Sequence, residues 1–168
     1  MRVAFFSEAG YTGKVPRNNP NMRTDQAWVC ALDAIHFPVT QLPNEHFDIG
    51  IVIIPKEQNR YLLASNNVDV INNIKQICSK VLVMQESTQW DWQDDPMQSM
   101  IWYYQQLLNS DGILCHNDID VPYFNGITNK PAFVLPTLMI ENTIQISNEK
   151  QDKVFVAGNW HTTYRGFD

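Results

Sequence analysis

Ile49-Gly50-Ile51-Val52-Ile53-Ile54 runs without a polar residue and is followed at once by Pro55-Lys56. A sheet with one wet face alternates apolar and polar residues, so an unbroken run of this length suits a strand buried on both faces. Four more runs read the same way: Val3-Ala4-Phe5-Phe6, Val81-Leu82-Val83-Met84, Gly112-Ile113-Leu114-Cys115 and Ala132-Phe133-Val134-Leu135. Each ends in a polar loop. A short strand at Val39-Thr40-Gln41-Leu42 fits the usual second position.

Helical patterns lie between the runs. Thr24 or Asp25 caps a helix expected through Ala34, with Ala27, Cys30, Ala31 and Ala34 on one stripe. Asn66 to Ser79 carries Val70, Ile74, Ile77 and Cys78 at helical spacing. Asp95-Pro96 opens a helix with proline at its first position, and Met100, Ile101, Tyr104, Leu107 and Leu108 are expected inward. A short helix follows Asp118-Ile119-Asp120, with Asp118 as its cap. Alternating strands and helices predict an α/β fold: a Rossmann-like, doubly wound parallel sheet in three α/β/α layers.

The chain of 168 residues is 44% apolar, which suits one domain with a substantial core. The domain is expected over 1–150. Residues 151–168 read as the truncated start of a second one or as an added strand of the same sheet, since Val154-Phe155-Val156-Ala157-Gly158 is a sixth apolar run leading into Asn159-Trp160 and Arg165-Gly166. An exposed strand there predicts self-association. No apolar stretch approaches the ~20 residues that span a bilayer, and Met1-Arg2 leads straight into a strand, so a cytoplasmic setting is expected. The net charge of −6 argues against a broad nucleic-acid surface. Cys30, Cys78 and Cys115 are widely spaced and show neither a CxxC pair nor zinc spacing, so they read as small buried hydrophobes.

Ligands of open parallel sheets bind beyond the carboxyl ends of the strands. The loop there from Ser7 to Asp25 far exceeds the usual ~2–6 residues. Gly10, Tyr11, Thr12, Gly13 and Arg23 become candidate binding residues, set against a surface loop stiffened by Pro16 and Pro20. Gly10 and Gly13 do not complete a dinucleotide fingerprint. The loop Met84 to Asp95 places Gln85, Glu86 and Trp90 after a buried strand. An indole beside amides and carboxylates suits a sugar, although Trp90 and Trp92 equally suit packing on Trp102. His116 ends another strand, as a base or as a structural histidine. Pro136-Thr137-Leu138 reads as a bend by which the chain leaves the domain.

These residues resemble a family. Asp111-Gly112-Ile113-Leu114-Cys115-His116-Asn117 and Val134-Leu135-Pro136-Thr137 look like the close of the N-terminal domain of a GT-B glycosyltransferase. Phe5-Phe6-Ser7-Glu8, Met22-Arg23-Thr24-Asp25 and Met84-Gln85-Glu86 are most similar to glycosyltransferases of phages and uncultured marine viruses. The resemblance implies an acceptor-side domain of an enzyme that moves a sugar from a nucleotide-sugar without a metal or other cofactor. It would act in the cytoplasm, that of the host if viral. Arg165, Gly158 and Asn159 would serve the donor side, and the rest of the donor domain would come from elsewhere. An inverting enzyme needs a base, for which Glu86, His116 and Asp25 are the candidates, in that order. A retaining one needs none. The rival readings are a non-catalytic nucleotide- or sugar-binding module and, third, a receiver or flavodoxin-like domain. Against a receiver, Glu8 stands alone after the first strand and Pro55-Lys56 follows the middle one.

Overall fold

The computed structural model describes residues 1–19, 22, 24–55, 57–85, 96–138 and 140. Its sheet has six strands, all parallel: β1 (Val3–Ser7), β2 (Ile35–Pro38), β3 (Phe47–Val52), β4 (Cys78–Gln85), β5 (Gly112–Cys115) and β6 (Ala132–Val134). Their order is β2-β1-β3-β4-β5-β6. The helices are α1 (Thr24–Ala31), α2 (Glu57–Ser65), α3 (Val70–Lys75), α4 (Met97–Asn109) and α5 (Asp120–Thr128). The fold is thus the Rossmann-like, doubly wound α/β sandwich that the continuous apolar runs predict.

Alternate residues of β1, β3, β4 and β5 enter two cores, whereas in the edge strand β6, read from the sequence as buried on both faces, Phe133 and Val134 are exposed because no further strand or helix covers them among the described residues. Ala4, Phe6, Val52, Val81, Val83, Ile113 and Cys115 pack with residues of α2 to α5. Val3, Phe5, Ile51, Ile53, Met84 and Leu114 pack on the other face with Val29 of α1, Val15 of the first loop and Leu135. Both faces are covered, so neither needs polar residues. Burial raises the thiol pKa of Cys78 to about 11, and that of Cys115, where Asp120 adds to it, to about 12. Both thiols stay protonated and inert at neutral pH.

Several boundaries differ from the sequence reading, each for a local reason. The first helix stops at Ala31 rather than Ala34. Asp33 adopts φ 49°, and Ala34 N–H turns back to the Val29 carbonyl at 2.9 Å, closing the helix. The second strand is therefore Ile35–Pro38, and the chain already turns at Gln41, whose N–H bonds the Pro38 carbonyl at 2.8 Å. The helix expected over Asn66 to Ser79 is only α3, followed by the first residues of β4, and α2 before it is a helix that the sequence reading did not place. Asn67, at φ 50°, closes α2, Asp69 caps α3 by accepting from Asn72 N–H at 3.1 Å, and Cys78 begins β4.

The fourth helix begins one residue later than expected, with Pro96 as its N-cap rather than its first helical residue, and presents a rotated face. Trp102, Tyr103, Gln106 and Leu107 are buried, whereas Ile101 and Leu108 are 54% and 47% exposed. The polar tips decide this. Trp102 Nε1 donates to the Val68 carbonyl (2.9 Å), Gln106 Oε1 accepts from Ile71 N–H (3.1 Å), and the Tyr103 hydroxyl donates to Gln85 Oε1. A buried polar group with a partner has its desolvation cost offset by the hydrogen bond it makes. The cap of α5 is Ile119, not Asp118, and no side chain serves it. The sixth apolar run, Val154 to Gly158, lies outside the described residues.

Candidate functional site

The connection from β1 moves to one side of the sheet, to β2, and every later connection moves to the other. The strand order therefore reverses between β1 and β3. At such a switch point the loops diverge and leave a crevice at the carboxyl ends. Here the crevice measures about 250 Å³. Ser7 and Glu8 line it from the end of β1, Pro38, Val39 and Thr40 from the end of β2, and Pro55, Asn59, Leu62 and Leu63 from the segment after β3.

Its floor is apolar and its rim polar. Glu8, Thr40 and Asn59 are exposed, and Asn59 Nδ2 donates to Glu8 Oε2 at 3.1 Å across the opening. The rim is backed by a buried cation. Arg60, 3% exposed, donates from Nε to the Pro55 carbonyl at 2.9 Å and lies 4.6 Å over the Tyr103 ring. That bond fixes the turn in which Pro55 meets the start of α2.

Behind the crevice the long first loop folds back on β2. Gly13 and His36 exchange two backbone hydrogen bonds, at 2.9 and 2.8 Å, in an isolated antiparallel bridge. Gly13 has φ 126°, which a side chain would strain. The imidazole of His36 is fully buried. Its Nδ1 lies 2.8 Å from the Tyr11 carbonyl and its Nε2 lies 2.7 Å from Ser7 Oγ. A carbonyl only accepts, so Nδ1 carries the proton and Nε2 accepts from the Ser7 hydroxyl. The Tyr11 ring stacks on the imidazole at 4.0 Å between centroids. Burial lowers the His36 pKa, against the opposing pull of the Tyr11 carbonyl and of Asp25, so the ring is neutral at pH 7. Burial, then Asp25, raises the Tyr11 phenol to about 12.

Of the residues singled out in the sequence, Tyr11, Gly13 and Asp25 gather around His36, and Gly10 and Thr12 belong to the same loop. Gln85 ends β4 but is buried, its amide oxygen bonded to Tyr103. His116 lies apart from them in sequence and contacts, after β5. Its Nδ1 donates to the Leu135 carbonyl at 2.8 Å, which leaves Nε2 as the basic nitrogen. The departing chain is tied there a second time, by Trp28 Nε1 donating to the Pro136 carbonyl at 3.0 Å. Glu86, Trp90, Arg23, Gly158, Asn159 and Arg165 lie outside the described residues.

Ser7, Glu8, His36, Thr40 and Asn59 are the site residues that sequence reading did not single out. With the second strand placed at Val39–Leu42, His36 falls in a connector, and no strand end draws attention to it. Asn59 sits in α2, whose buried face is Arg60 and Ala64 beside a half-buried Leu63, a weak apolar stripe. Among the described residues no cluster of three His, Cys, Asp or Glu side chains is arranged to hold a metal, and no helix is long and apolar enough to cross a membrane. Comparison with protein-family models, with curated proteins and with solved structures returns no match.

Proposed function

We propose that this chain is the acceptor-side domain of a glycosyltransferase that uses a nucleotide-sugar, and that a sugar of the acceptor lies in the switch-point crevice. The observation that carries the reading is the rim of that crevice. A carboxylate, an amide and a hydroxyl (Glu8, Asn59 and Thr40) stand over an apolar floor that includes Val39 and Leu63. A sugar has hydroxyl edges and C–H faces, and such a lining matches both. The sequence resemblance supports the same reading. In it Glu8 accepts from acceptor hydroxyls while Asn59 donates, and a base takes the proton of the attacking hydroxyl. His116 Nε2, which has no hydrogen-bond partner among the described residues, offers a nitrogen acceptor at the carboxyl end of β5, and Asp25 and Glu86 are the other candidates. The donor is held by the second domain, with Gly158, Asn159 and Arg165 at its start. No metal enters this scheme, because cationic side chains and a helix N-terminus neutralise the departing diphosphate.

A second reading has one specific observation in its favour. The order β2-β1-β3-β4-β5 is that of flavodoxin-type doubly wound sheets, which bind a nucleotide cofactor at this same switch point. A non-catalytic nucleotide-binding module would use the crevice accordingly.

Saturation-transfer NMR with a panel of methyl glycosides and of free nucleotides separates the two. Glycoside binding that Asn59→Ala weakens about five- to tenfold, the loss of roughly one hydrogen bond, supports the transferase reading. Nucleotide binding with the same sensitivity supports the module. Binding of neither class overturns both.

A further inference from the structure

Ser7, His36 and the Tyr11 carbonyl form a chain of hydrogen bonds from the crevice wall into the protein. Ser7 lines the crevice, and its hydroxyl donates to His36 Nε2 at 2.7 Å. His36 Nδ1 donates in turn to the Tyr11 carbonyl at 2.8 Å. Ser7 Oγ also accepts from Ala9 N–H at 3.2 Å. One imidazole therefore holds three things: the serine, the turn at Ala9 by way of that serine, and the loop at Tyr11. The Tyr11 hydroxyl is buried without a hydrogen-bond partner among the described residues, so the ring is held by its stack on His36 and not by its polar end.

We propose that His36 is a positioning residue for the crevice: its neutral, Nδ1-protonated ring latches the β1–α1 loop against β2 and fixes Ser7 as a hydrogen-bond acceptor toward the crevice, and protonation at Nε2 reverses the serine and loosens the loop. The chemistry follows from donor counting. In the neutral state the serine proton is committed to Nε2, and Oγ keeps acceptor capacity. Once Nε2 carries a proton it must donate to Oγ, and since the Ala9 N–H already donates to Oγ the serine proton is displaced toward the crevice. The new charge is fully buried, with no carboxylate hydrogen-bonded to it. The titratable groups that face it are Asp25 of α1, which favours the charge from a distance, and the Tyr11 phenol of the loop, neutral throughout this range. Ser7 and Phe5 of β1, the latter stacked on the ring at 6.3 Å, are uncharged. Opening the loop gives the imidazolium access to water, so acid favours the open form. The latch exists whether or not the crevice takes a sugar. Its consequence for acceptor binding rests on the reading above.

The test is hydrogen–deuterium exchange of the whole chain, read by mass spectrometry and corrected for intrinsic amide chemistry. Peptides covering Gly10–Val15 and Ile35–Pro38 are followed from about pH 7.5 to about pH 5, across the ordinary histidine range. The expected result is exchange at Gly13 and His36 at least ~tenfold faster at the acid end, the change produced by one unit of pKa difference between closed and open loop, with β3 and β4 unchanged. In His36→Phe, which keeps a stackable ring and cannot titrate, the loop exchanges fast at both ends of the range. Ser7→Ala keeps the Nδ1 bond and the pH response, and serves if the phenylalanine variant does not fold. Nitrogen-15 spectra of the wild-type ring give an independent reading of the tautomer. A proton on Nε2 at neutral pH, pH-independent loop exchange, or acceleration shared equally by β3 and β4 would each overturn the proposal. Loop opening without any glycoside binding leaves the latch standing and removes only the proposed function.

Discussion

Gly50 offers the sharpest test of how tightly the sheet is packed. A Cβ built there would lie 2.9 Å from Cys78 Sγ, 3.2 Å from Ile74 Cγ2 and 3.3 Å from Cys78 Cβ. Gly50 sits in β3 with an ordinary strand backbone, so Gly50→Ala introduces no dihedral strain. Its effect is the difference between two contributions. Overpacking a full core costs about 1–3 kcal/mol. Restricting the unfolded chain returns about 0.4–1 kcal/mol. The contacts lie on the β4 and α3 sides, where Ile74 and Cys78 are themselves buried and cannot swing away. The net loss is therefore about 0–2.6 kcal/mol, a fall in Tm of up to roughly 10 °C for a chain of this size. The assay is urea denaturation of Gly50→Ala, Cys78→Ala and the double variant. Cys78→Ala removes the sulfur at the shortest contact, so the double variant should recover about 1 kcal/mol relative to the sum of the singles. Strict additivity of the two changes would refute the steric account and assign the loss to something other than the Cβ–sulfur contact.

Three further outcomes follow from individual contacts. Gln106→Leu leaves the Ile71 N–H buried and unpaired, and should cost about 1–3 kcal/mol in chemical denaturation, whereas Gln105→Leu on the exposed face should change little. Burial pushes the Asp111 carboxyl up, but the Val81 N–H bond and the Lys75 and Lys80 ammonium groups outweigh it and hold its pKa below the ordinary range. A depressed carboxylate contributes stability above its unfolded pKa and loses it as pH falls through the folded value; Asp111→Asn should therefore be less stable than wild type near neutral pH, with the gap closing as the pH falls below the ordinary aspartate range in a pH series of thermal melts. Trp28→Phe removes the bond to Pro136 and should raise amide exchange near Leu135 while leaving β1 and β3 protected, as mass-spectrometric exchange would report.

The parallel sheet was legible because the strands carry their burial in plain composition: Phe5, Phe6, Val81 and Val83 need no context to be read as interior. What sequence reading misplaced are positions where a polar side chain goes inward because a particular partner waits for it. Trp102, Tyr103 and Gln106 rotate α4 away from the face that Ile101 and Leu108 would have chosen, and each does so through a bond to a residue distant in sequence. Two single-residue conformations, at Asp33 and Asn67, end α1 early and close α2, a helix that the sequence reading did not place. Both residue types tolerate positive φ, but nothing in their neighbours' composition says that they must adopt it. The candidate site was legible only in part. The long first loop and His116 stood out by position, but His36 acquires its role from Ser7 and Tyr11, and Asn59 from Glu8, pairings that exist only once the chain is folded.

The central position of β1 also bears on how the chain reaches this fold. β1 is synthesised before both of its neighbours, β2 on one side and β3 on the other, where Val3 meets Ile49. Every strand pairing in the described sheet is parallel, so none closes through a two-residue hairpin and each waits for an intervening crossover. A topology so poor in local strand pairs folds slowly, and Val3-Ala4-Phe5-Phe6 emerges as an apolar segment with nothing yet to pair with. During synthesis that stretch is the natural place for a chaperone to hold the chain.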